Sequence, residues 1–69
     1  MYLQIRYLRE LDGLSLADLH ERSGVQIAQL SRIERGLSKP RPTTLRRIAH
    51  ALGVEPAELW TTDEGKLAA

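Results

Sequence analysis

The stretch VQIAQLSRIERG, residues 25–36, holds the side chains whose types and spacing point most directly to chemistry. At about 100° per residue, Leu30 and Ile33 mark one side of a helix. Ala28, Ser31, Arg32 and Arg35 gather on the other side, with Ile27 and Gln29 on the flanks. An outward guanidinium such as that of Arg32 offers a planar fork of donors that can take two acceptors at once. The stretch also lies in a basic window. Residues 22–47 carry Arg22, Arg32, Arg35, Lys39, Arg41, Arg46 and Arg47 against the single acid Glu34, a net +6. The rest of the chain sets Arg6, Arg9 and Lys66 against eight acids, a net −5. The overall charge of +1 therefore conceals a sided electrostatic field. Most charge runs are solvated surface. This one is confined to one continuous stretch of a tiny domain, which favours a polyanionic partner.

Other chemistries are poorly served. Ser15, Ser31, His20 and His50 supply hydroxyls and imidazoles, but no nucleophile–base–orienter set and no glycine-rich phosphate loop accompanies them. Two histidines without a cysteine make a poor metal set, so neither enzyme activity nor a cofactor is expected. Single-stranded nucleic acid needs aromatic platforms. The three aromatics, Tyr2, Tyr7 and Trp60, all lie outside the basic window. The absence of cysteine fits a reducing compartment, and a cytoplasmic location is expected. The opening MYLQIRYLRE is charged within six residues and does not resemble a signal peptide. No apolar run approaches the ~18 residues that a membrane helix needs.

The elements that must position these groups follow from period and punctuation. With 69 residues the chain can build one domain around one small core. Ile5, Leu8 and Leu11, with Leu3 and Tyr7 beside them, suit a helix over about residues 2–12, ended by Asp12-Gly13. Ser15 is a good N-cap, and Asp18 three residues on completes an approximate capping box. The second helix runs about 16–22, with Leu16 and Leu19 inward, and stops at Ser23-Gly24. The third spans about 26–35, and so short a connection forces the two to meet at a sharp angle. Pro40 bars a helix through LSKPRP, whereas Pro42 suits a first helical position. Leu45, Ile48, Ala49 and Leu52 then form the stripe of a fourth helix, ended by Gly53. Pro56 opens a short fifth helix with Leu59 and Trp60. No segment has a convincing period of two. The expected fold is all-α: five short helices, a domain over residues 1–61 and a polar tail over 62–69 that frays.

The pieces together resemble the lambda-repressor-like helix-turn-helix family, of the Cro and xenobiotic-response-element type. The resemblance runs over residues 5–60. It rests on IRYLRELDGLS, on LADLHERSGV, on LSRIERG and on LRRIAHALGVEPAEL after the KP of the loop. It places a helix-turn-helix at about residues 16–35. It implies an ion pair between Arg9 and Glu34 that ties the first helix to the third. It also implies base-contacting positions at Ile27, Ala28 and Arg32, with Gln26 and Gln29 adjacent. Ile27 and Ala28 would pack on thymine methyl groups, Arg32 would take guanine, and glutamine suits adenine. Phosphates would be gripped by Arg35, Lys39 and Arg41, with Ser15 and Ser31 as hydroxyl donors.

Two positions depart from the family pattern. His20 stands where relatives usually have a small residue; it either separates the two helices or turns its ring to solvent. Leu16 stands where many relatives touch a phosphate, so that contact must come from Ser15, from backbone amides or from elsewhere. The resemblance implies a sequence-specific regulator of transcription that binds double-stranded DNA as a homodimer, as a repressor of a palindromic operator. The expected interface is Val54, Leu59 and Trp60, with the Leu67 tail beside them. The competing reading is an antitoxin-like or other interaction module that docks a protein through the fifth helix. No small-molecule effector domain and no membrane partner are expected.

Overall fold

The computed structural model describes residues 2–61; the polar tail and Leu67 lie outside the described residues. Along the chain come β1 (Tyr2–Leu3), α1 (Ile5–Leu11), α2 (Leu16–Ser23), α3 (Ile27–Glu34), α4 (Pro42–Leu52), a 3-10 turn (Pro56–Leu59) and β2 (Trp60–Thr61). The fold is all-α in kind, with four α-helices and a 3-10 turn in place of five helices. The turn stays short because the chain is extended again at Trp60, leaving four residues after Glu55. Glu55 and Glu58 brace it, the Glu55 N–H donating to Glu58 Oε2 at 2.8 Å and the Glu58 N–H to the Glu55 carbonyl at 2.9 Å.

α1 begins at Ile5 rather than near residue 2 because Tyr2 and Leu3 pair antiparallel with Thr61 and Trp60. Two-residue strands are too short to show an alternating pattern. Gln4 extends the stitch: its N–H donates to the Leu59 carbonyl at 2.8 Å and its side-chain amide to the Glu58 carbonyl at 2.6 Å. Leu11, expected inward, is 64 % exposed. Each step of three residues falls about 60° short of a full turn, so two steps from Ile5 carry Leu11 off the buried side.

The capping box that opens α2 is present. The Asp18 N–H donates to Ser15 Oγ at 3.0 Å, and the Ser15 N–H donates to Asp18 Oδ2 at 2.9 Å. The bond from the Ser15 N–H first, and the neighbouring Ser15 hydroxyl second, hold the Asp18 carboxyl below the usual carboxylate range. Pro42 is the first residue of α4 as expected. The core gathers Ile5, Leu14, Leu19, Val25, Leu30, Ile33, Ile48, Ala49, Leu52 and Leu59, drawn from every helix, from the 3-10 turn and from the turns on either side of α2. α2 packs on both α3 and α4, and the 3-10 turn packs on α4. Each fully buried leucine or isoleucine contributes about 1.5–3 kcal/mol of transfer free energy. α3 thus sits at one side of the body, seated on α2.

Candidate nucleic-acid interface

The turn between α2 and α3 depends on Gly24, which takes φ +76° as the left-handed cap of α2. A side chain at that position would strain the backbone. The Gly24 N–H donates to the His20 carbonyl at 2.8 Å, closing the helix. Three residues later Ile27 starts α3, with Gln26 as an N-cap whose side chain makes no capping bond. His20 turns its ring neither freely to solvent nor away from the turn. Its ring is half-buried and Nδ1 lies 2.8 Å from the Val25 carbonyl across the turn.

α3 divides as its period requires. Leu30 and Ile33 are buried, while Gln26, Ala28 and Arg32 are exposed and Ile27 is 42 % exposed. Gln29 and Ser31 are half-buried, so Ser31 sits less openly than its place on the outward arc suggested. Ala28 and Arg32 therefore share the free face, with Ile27 and Gln29 at its edges and Gln26 exposed at the N-cap. Arg35, Lys39 and Arg41 are exposed beyond the C-terminal end of α3, and Arg35 folds back so that Nε donates to the Ser31 carbonyl at 3.4 Å. Arg46 and Arg47 are exposed on α4. Ser15 Oγ is used as an acceptor by the Asp18 amide, which leaves only its O–H to offer, close to a carboxylate.

The far end of α3 is held by Arg9 and Glu34. Arg9 Nε donates to Glu34 Oε2 at 2.8 Å and Nη2 to Oε1 at 3.0 Å, a two-pronged pair. Nη1 donates to the Leu14 carbonyl at 2.7 Å, so one guanidinium joins α1, α3 and the loop before α2. The two side chains are only 12 % and 6 % exposed. The hydrogen bond to Glu34 is the main cause that raises the Arg9 pKa above its ordinary value, and burial opposes it.

The expected interface needs a correction. Leu59 is completely buried in the core, its backbone carbonyl taken by Gln4, and it presents no surface to a partner. Val54 is half-buried against the core, and Trp60 is 39 % exposed on β2. A sequence period cannot tell a core leucine from an interface leucine in so short a turn. Tyr7, expected beside the apolar side of the first helix, is 60 % exposed, and Leu37 in the loop after α3 is 67 % exposed. Among the described residues no three His, Asp or Glu side chains come together as a metal set, and no helix is long and apolar enough to cross a membrane.

Comparison with known proteins places these features in context. The family model for helix-turn-helix proteins matches residues 5–59. An uncharacterized HTH-type transcriptional regulator of Sinorhizobium fredii is 45 % identical over 58 residues, 83 % of this chain and 75 % of that protein. Two of Mycobacterium tuberculosis are 46 % and 44 % identical over 56 and 52 residues, 81 % and 75 % of this chain. The matched segments span only 40 % and 20 % of those mycobacterial proteins. Among solved structures, the restriction-modification controller protein C.AhdI of Aeromonas hydrophila superposes with a TM-score of 0.79 at 34 % identity, over 81 % of this chain and 85 % of that one.

Proposed function

Because the chain belongs to the lambda-repressor-like helix-turn-helix family of transcriptional regulators, we propose that it binds double-stranded DNA sequence-specifically, as a homodimeric repressor acting on a palindromic operator. The observation that carries this reading is the split of α3, with Leu30 and Ile33 seated in the core, Ala28 and Arg32 free on the opposite face, Ile27 open on the flank and Gln26 exposed at the N-cap. That face is the part of the molecule an α-helix lays into a major groove. Arg32 takes guanine through O6 and N7, Ile27 and Ala28 meet thymine methyl groups, and Gln26 and Gln29 suit adenine. Arg35, Lys39 and Arg41 grip phosphates beside them and set the register without reading sequence. Ser31 and Ser15 are secondary contacts, the first half-covered and the second shared with its cap. The Arg9–Glu34 pair holds the angle of α3.

A helix of eight residues is about 12 Å long and reaches only about four base pairs, too few to specify an operator. Two copies on a two-fold site, with half-sites about 34 Å apart, supply the rest. Trp60 and Val54, which lie outside the basic window, are the surface offered to the second copy. Occupancy of an operator suffices for repression, and binding rather than catalysis is the role assigned to the chain, at DNA in the cytoplasm. Selection of duplexes from a random library tests this. A two-fold symmetric consensus, bound far more tightly than random duplex, is expected. Salt-sensitive binding with no consensus would overturn it.

A further inference from the structure

We infer that His20 is a positioning residue for base reading: with Ser23 it clasps both peptide groups of Val25, and the clasp fixes where the recognition helix α3 leaves the turn. The inference deepens the DNA-binding reading above and rests on it. The Val25 N–H donates to Ser23 Oγ at 3.1 Å, and the Val25 carbonyl accepts from His20 Nδ1 at 2.8 Å. A carbonyl only accepts, so Nδ1 is the donor in this bond. Both partners lie at the end of α2, and the Val25 side chain is itself buried in the core. Val25 is therefore held at its amide, its carbonyl and its side chain, all by the body on which α3 sits.

The start of α3 has no device of its own. Gln26 caps it without a side-chain bond, and the groups that would read bases begin at the very next residues. At the other end Glu34 is tied to Arg9. Leu30 and Ile33 seat α3 in the core and Glu34 ties its C-terminal end, so a residual tilt about that tie moves the N-terminal end most. A swing of about 5° over roughly 12 Å displaces Ile27 and Ala28 by about 1 Å, enough to spoil paired hydrogen bonds and methyl contacts at a base edge. The clasp removes that swing.

The full chain is compared with His20→Ala, which deletes the donor, and His20→Asn, whose side-chain amide can place an N–H where Nδ1 stood. The first readout is amide exchange in the free protein. In His20→Ala the Leu30 amide, bonded to the Gln26 carbonyl, is expected to exchange about tenfold faster while the Leu45 amide in α4 holds, with His20→Asn returning to within about twofold of wild type. The second is affinity for the selected duplex, expected to fall about tenfold in His20→Ala with random duplex within about twofold, and to recover in His20→Asn. Equal acceleration in α3 and α4, unchanged reading in His20→Ala, or no recovery in His20→Asn would overturn the inference. If His20→Ala does not fold, wild-type exchange in His20→Asn supports the clasp and faster exchange confined to α3 overturns it. A library that yields no consensus refutes the DNA reading instead, and the exchange readout still decides the clasp.

Discussion

Replacing Glu34 by glutamine tests how α3 is fixed to the body. The substitution preserves shape and one acceptor oxygen but removes the charge that faces Arg9. Two charge-assisted bonds of 2.8 and 3.0 Å are made there by side chains that are 12 % and 6 % exposed. In Glu34→Gln one bond is lost, the other keeps charge on its donor alone, and a guanidinium stays behind with little water. Arginine cannot escape by giving up its proton. The bond from Nη1 to the Leu14 carbonyl, 2.7 Å, is untouched and limits the damage. The expected loss is about 2–3 kcal/mol, below the range for a wholly stranded buried charge. For a domain of this size that lowers the melting temperature by roughly 10–20 °C. Urea unfolding followed by helical circular dichroism measures it. The double variant Arg9→Met with Glu34→Leu should recover most of the loss, because no charge then remains unpaired. A cost below about 0.5 kcal/mol for Glu34→Gln, or a double variant no better than the single, would refute the reasoning.

Three further outcomes follow from the geometry. Gly24→Ala should cost about 1–2 kcal/mol in urea unfolding, all of it backbone strain, because φ is +76° and a Cβ there would meet nothing within 4 Å. The Asp18 carboxyl titrates below its unfolded value of 3.8, so its contribution is complete above that pH and is lost as the pH falls through the folded value. Asp18→Asn should therefore flatten the acid limb of the stability curve, and an unchanged limb would clear Asp18 of that role. Lys39→Ala should weaken binding to all duplexes alike and reduce the slope of log affinity against log salt by about one; an intact slope would remove Lys39 from the phosphate contacts.

Local chemistry was legible in the sequence where neighbours in the chain decide the structure. The Ser15–Asp18 box, the proline at the head of α4 and the glycine that ends α2 act within a few residues, and each stands where the sequence put it. The inward side of α3 was equally plain, because Leu30 and Ile33 are one turn apart on a helix too short to drift. The misses are non-local. Tyr2 and Leu3 are extended because Trp60 and Thr61 reach them from the other end of the chain. Leu59 is core because Gln4 and α4 close over the 3-10 turn, a fact no period within four residues encodes. His20 was read as a bulky substitute for a small residue. Its partner, the Val25 carbonyl, is a backbone atom and leaves no mark in the sequence.

The most direct test of the central claim, that the free face of α3 reads bases, is Arg32→Lys measured on the selected duplex and on random duplex under one salt condition. Lysine keeps the charge but not the two-pronged fork. Affinity for the selected site should fall by about 1–3 kcal/mol with discrimination relaxed at one guanine, while random-duplex binding stays the same. Equal affinities for wild type and variant on the selected site, or equal losses on both duplexes, would contradict it.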